Sequence, residues 1–180
     1  RHRWARTVWA SGLGAAGAAV QGPASAGPVG LIGCWMGGTI AFLGATRLLG
    51  LGAAVGYYGG RIVAFADEKP KCPVQLHFGE KDASIPMTDV EIIKQKRPDV
   101  EIFVYKDAGH GFHCDERGSF HKDSCDVAWK RTTDFFPKHM KKELDAPAAA
   151  MSPDARRKTE RPDGFGGGRT AQNRGNSLAA

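Results

Sequence analysis

The chain has 180 residues, 42% of them hydrophobic, enough for one domain with a buried core. Its formal charge is +6, but half of that excess lies in residues 151–180, where five Arg and one Lys face two Asp and one Glu. No Lys/Arg stripe interleaved with aromatics runs along a periodic element and no apolar run approaches the ~20 residues of a membrane span, so neither nucleic acid nor a membrane is an expected partner.

Residues 1–27 are rich in Gly and Ala and carry no firm period. A helix over Arg6–Val20 is weakened by Gly12, Gly14 and Gly17, each by about 1 kcal/mol. Arg1, Arg3 and Arg6 ahead of a small-residue stretch, with Ala24-Ser25-Ala26 after it, have the outline of a secretory leader. Ser11–Val20 lacks the Leu-rich centre of such a leader, and the reading is a cytoplasmic protein. The four cysteines, Cys34, Cys72, Cys114 and Cys125, form no CxxC pair and read as reduced thiols.

Val29–Gly33 reads as a short buried strand, and Gly37–Leu49 as a helix whose Gly38, Ala41 and Ala45 suit close packing on a sheet. Gly52–Tyr58 is a second strand, ended by Gly59-Gly60, and Pro73–Phe78 a third. The order requires a short helix or turn across Arg61–Lys71. Asp89–Lys96 is a helix that stops before Pro98. Val100–Tyr105 is a fourth strand, and Ser124–Met140 a final amphipathic helix with Val127, Trp129, Phe135 and Phe136 on its apolar face and Pro137 near its end. Alternating strands and helices imply a parallel sheet with helices on both faces. Residues beyond 146 read as a disordered basic tail.

Three residues of reactive type each fall just after a predicted strand: Cys34, Asp82 and His110. Open parallel sheets collect their sites at the carboxyl ends of strands. Nucleophile, acid, histidine is the chain order of α/β-hydrolases. A Cys at a strand-to-helix turn lies beside a helix N-terminus, which favours its thiolate, and the next backbone N–H can hold an oxyanion. Cys34 is then the expected nucleophile, Trp35 the oxyanion-hole donor, His110 the proton carrier and Asp82 the group that orients it. His110, His113, Cys114, His121 and Cys125 match no common zinc spacing, and no metal site is expected.

From about Gly27 to Met140 the chain resembles the dienelactone hydrolase family. The resemblance rests on GPVGLIGCWMGGTIAF, AAVGYYGG, PVQLHFGEKDASIP and YKDAGHGFHCDERGSF, in the family's order. It implies a partial α/β-hydrolase fold, a mostly parallel sheet with flanking helices and with the N-terminal strands missing. The implied organisation is a leader over 1–27 outside the core, an α/β domain over 28–143 and a tail over 144–180. It also implies hydrolysis of a small-molecule ester or lactone through an acyl-cysteine, with no metal and no organic cofactor. The family's catalytic Asp and His fall on Asp82 and His110.

The elbow departs from the family's Gly-aromatic-Cys-x-Gly-Gly. Aligned on the glycines of Gly33-Cys34-Trp35-Met36-Gly37-Gly38, the nucleophile slot holds Trp35. Aligned on Cys34-Trp35, the thiol is kept and Met36 stands where a glycine is needed. The alternative to an acyl-cysteine hydrolase is therefore a truncated, catalytically inactive relative or an interaction module; a third reading is a nucleic-acid binder acting through the tail, with salt-sensitive binding.

Overall fold

The structure, a computed structural model, describes residues 12–18 and 29–144, with side chains as far as 140. The chain divides into two units, residues 1–145 and 146–180; the second, which holds the tail expected from composition, lies outside the described residues.

The elements follow the expected order. They are β1 (Val29–Cys34), α1 (Met36–Arg47), β2 (Leu51–Tyr57), a 3-10 turn (Ile62–Phe65), β3 (Val74–Gly79), α2 (Met87–Lys96), β4 (Glu101–Tyr105) and α3 (Lys122–Leu144). The four strands form one sheet in the order β1-β2-β3-β4, all neighbours parallel. The 3-10 turn fills the gap left over Arg61–Lys71.

The sequence explains the layering. Parallel strands covered on both faces read as continuous apolar runs, and β2 and β3 are buried almost throughout. β1 alternates in exposure. A side chain at Gly30 would meet Phe136 and Met140 of α3, whereas Leu31 lies against Gly44 of α1. Successive strand residues face opposite sides, so α1 and α3 cover opposite faces of the sheet. Phe42, Val55, Leu76, Phe78, Phe112 and Phe135 belong to the core that results.

Two expectations change. Val127 and Trp129 are exposed, while Ser124, Ala128, Thr132 and Phe135 are buried. The inward stripe of α3 thus runs 124-128-132-135, with Phe136 packed beside it as expected, and only Val127 and Trp129 fall off it. Residues 12–18 are helical and not wholly outside the core: Ala16 is buried, Gly12 lies against Ile40 and Gly17 against Leu48. Of the glycines that weaken this helix, Gly12 is the one closely approached by α1: a Cβ there would lie 2.5 Å from the Ile40 side chain. The rest of the 1–27 leader lies outside the described residues.

Beneath α3 lies a buried polar cluster. His77 on β3 donates through Nε2 to Gln75 Oε1 at 2.9 Å and accepts at Nδ1 from the Tyr105 hydroxyl at 2.8 Å. Thr132 Oγ1 stands 3.2 Å from Nε2 and 2.6 Å from the Tyr57 hydroxyl. Burial first, then the Arg131 charge and His113, hold the His77 imidazole down at about 3. The unfolded chain takes up this proton near pH 6.5 and the folded chain does not. Stability from this residue is therefore complete above about pH 6.5 and falls away towards pH 3, by on the order of 4 kcal/mol. Urea titrations should show the advantage of the native chain over His77→Gln shrinking between pH 7 and pH 4. An advantage independent of pH would contradict this assignment.

Candidate active site at the carboxyl edge of the sheet

The carboxyl ends of all four strands converge on one rim. Trp35 follows β1, Tyr58 follows β2, Asp82 lies three residues past β3 and His110 five past β4. Because β3 and β4 are in register at Gly79 and Tyr105, the loops that leave them start side by side. Glu80 N–H donates to Tyr105 O and Lys81 N–H to Ala108 O, both at 2.9 Å. Lys81 and Asp107 form an ion pair across the same two loops. A Cβ at Gly79 would overlap the Ala108 carbonyl, so glycine is what lets the loops touch.

This contact brings Asp82 and His110 together. His110 Nδ1 lies 2.6 Å from Asp82 Oδ2. The other carboxylate oxygen accepts the N–H groups of Ser84, at 2.8 Å, and Ile85, at 3.1 Å. The Asp82 side chain has no exposure and that of His110 is about one-quarter exposed. One oxygen of Asp82 thus fixes its own turn while the other orients the imidazole. Among the described residues, no hydrogen bond occupies His110 Nε2.

The elbow resolves the two alignments. Gly33 and Gly37 touch: a Cβ on Gly33 would lie inside the Gly37 backbone. A Cβ on Gly38 would lie 2.5 Å from Tyr57 O. The two touching backbones place the apex midway, at Trp35, with φ 57° and ψ −120°. This is a left-handed conformation that a bulky residue holds only at a cost of about 1–3 kcal/mol. Trp35, and not Cys34, therefore stands at the apex of the turn. Its indole lies between His110, with ring centroids 5.1 Å apart, and the Arg117 guanidinium, 4.0 Å from the ring centroid.

Cys34 is one residue short of the apex, and the structure does not join it to His110 by a hydrogen bond. It is exposed, and its thiol is directed to the Tyr58 hydroxyl. Partial burial of the sulfur pushes that thiol up from its ordinary value, and the Tyr58 hydrogen bond pulls it part of the way back. The backbone N–H groups at the elbow differ in what they meet. Trp35 N–H donates to Tyr57 O at 3.0 Å in the β1–β2 ladder and is not available to a substrate. The first amides of α1, beginning with Met36, have no partner within the helix and no side-chain cap, and the positive end of the helix dipole adds to them. Met36 N–H is the donor that follows the apex.

Two cavities share the walls Trp35 and Tyr58. One, of about 300 Å³, is lined also by Met36, Thr39, Arg61 and His110. The other, of about 280 Å³, is lined by Cys34, Cys114 and Arg117. Tyr58 and Arg117 were not singled out as site residues from the sequence. Tyr58 stands at the end of a predicted strand, the position shared by the others; Arg117 lies in an irregular loop seven residues past His110. Among the described residues no group of three or more His, Cys, Asp or Glu is arranged to hold a metal ion, and no helix is long and apolar enough to cross a membrane.

Residues 14–140 match the dienelactone hydrolase family. A protein of Yersinia pestis named for carboxymethylenebutenolidase is 38% identical over 120 residues, covering 59% of this chain and 45% of that protein. The carboxymethylenebutenolidase of Pseudomonas putida is 30% identical over 112 residues, covering 59% of this chain and 47% of the enzyme. A crystal structure from Klebsiella pneumoniae named for dienelactone hydrolase superposes with a TM-score of 0.63 at 32% identity, over 72% of this chain and 60% of that one. The chain thus spans about half the length of the curated relatives it matches.

Proposed function

This chain belongs to the dienelactone hydrolase family, and we propose that it takes part in hydrolysing a small-molecule ester or lactone, with His110 as the proton-transferring base and Asp82 as its orienting partner. The observation that carries this reading is the 2.6 Å bond from His110 Nδ1 to a carboxylate with no solvent exposure. That bond fixes the tautomer and leaves Nε2 as the basic nitrogen. His110 Nε2 removes a proton from water while the resulting hydroxide attacks the carbonyl carbon. The oxyanion is held at Met36 N–H and the first turn of α1. The imidazolium, stabilised by Asp82, returns the proton to the departing alkoxide.

A second reading keeps Cys34 as the nucleophile of an acyl-cysteine route. The observation in its favour is that the thiol lines a cavity sharing two walls with the one His110 lines. It requires the sulfur to leave Tyr58 and reach the imidazole past the Trp35 ring.

Acid quenching during turnover of p-nitrophenyl acetate, followed by peptide mass mapping, separates the two. Direct attack by water leaves Cys34 unacetylated. Acetyl-Cys34 that forms and decays at the turnover rate would replace the water route by the acyl-cysteine one.

A further inference from the structure

Cys34 closes β1, and Cys114 lies four residues past His110 in a segment made of consecutive turns. Both thiols line the same cavity of about 280 Å³, together with Trp35, Tyr58 and Arg117. Both are free; Cys34 is exposed and Cys114 half-buried. They are near enough that a thiolate on Cys114 would oppose one on Cys34. The Arg117 guanidinium stands at the same wall. Local bonds hold the segment: Cys114 N–H donates to Gly111 O at 2.9 Å and Arg117 N–H to Cys114 O at 3.1 Å.

We propose that Cys34 and Cys114 form a paired-thiol modification site that closes to a disulfide under a hydroperoxide. One thiolate attacks a peroxide oxygen; the O–O bond breaks, giving a sulfenic acid and water. The second thiol attacks the sulfenic sulfur and expels a second water. Two thiols lose two electrons and two protons, one S–S bond forms, and hydrogen peroxide is reduced to two waters. Closure brings the two Cα atoms to roughly 6 Å, and the turn-built segment is the part that shifts. The bond ties the loop bearing His110 to the elbow and withdraws Cys34 from solvent.

The other two cysteines do not fit this role. Burial pushes the Cys72 thiol up to about 11, so little thiolate forms there. Cys125 lines a different cavity, with His113, Asp115 and Trp129. The proposal does not depend on which nucleophile hydrolyses an ester, and its readout is a covalent mass.

The test treats the full chain with hydrogen peroxide, alkylates the remaining thiols and maps unreduced peptides. The expected result is a fall from four free thiols to two and a linked peptide carrying Cys34 and Cys114, reversed by dithiothreitol. Cys114→Ser abolishes the linked peptide, Cys72→Ser and Cys125→Ser retain it, and oxidation in guanidinium chloride loses the preference for this pair. Separate sulfenic acids trapped by dimedone on Cys34 and Cys114, crosslinks through Cys72 or Cys125, or bridges only between chains would each overturn the proposal.

Discussion

Replacing Trp35 by cysteine is expected to raise turnover of p-nitrophenyl acetate on the order of a hundredfold over the unaltered chain. The substitution puts a thiol at the apex of the elbow, where φ 57° and ψ −120° already describe the required turn. The indole it removes stands against His110 at 5.1 Å between ring centroids, so the new sulfur arises beside an imidazole that Asp82 already orients. The amides of the first turn of α1, and Arg117 once freed from the indole, both favour its thiolate. The loss is modest. Trp35 is 40% exposed, and the Arg117 stack contributes about 0.5–1 kcal/mol at such a site. Trp35→Ala is the control, because it opens the same space without a nucleophile. Burst kinetics, with an acetyl group carried on the introduced thiol, are expected in the first variant and absent in the second. Equal rates for the two variants would show that the apex does not address His110.

Asp82→Asn should lower turnover on the order of a hundredfold or more while leaving the fold in place. The asparagine carbonyl can still accept the Ser84 and Ile85 amides that hold the turn. What changes is the atom facing His110: an amide NH₂ donates to Nδ1 where the carboxylate accepted from it. The ring is then driven to the tautomer that protonates Nε2, and the base is lost. Proton NMR should show the His110 ring change tautomer between native chain and variant, with unfolding free energies from urea titration within about 1 kcal/mol of each other. A rate unaffected by Asp82→Asn, with the tautomer changed, would remove the pair from the chemistry.

The pattern of strands was legible because each is a short apolar run bounded by Gly or Pro, and the carboxyl edge of the sheet follows from βα alternation alone. That alternation puts residues as distant in the chain as Asp82 and His110 on one rim. The elbow was harder. Its six residues admit two alignments, and the choice depends on a backbone contact between Gly33 and Gly37 that no periodicity reports. A single-residue offset also changes which way a side chain leaves the strand, so the thiol beside the apex faces Tyr58 and the indole faces the imidazole. The cluster around His77 was not legible at all. VQLHF reads as an ordinary alternating strand, and the partners that satisfy the ring, Tyr105 and Thr132, come from other elements. On α3, Phe135 and Phe136 face inward as their period implies, while Val127 and Trp129 do not. Ala128 and Thr132 lie over that cluster, where the Tyr57 hydroxyl meets both, and the phase of the helix turns the neighbouring Trp129 outward.

In the function proposed above, hydrolysis depends on the oriented imidazole and not on the thiol beside the apex. Initial rates of p-nitrophenyl acetate hydrolysis by the native chain, His110→Ala and Cys34→Ala, measured side by side, test it most directly. His110→Ala is expected to fall to the rate of buffer with added free imidazole while Cys34→Ala stays within about twofold of native. Collapse of Cys34→Ala alongside His110→Ala would contradict it in favour of an acyl-cysteine, and three equal rates would contradict it in favour of a member of the family that binds without catalysing.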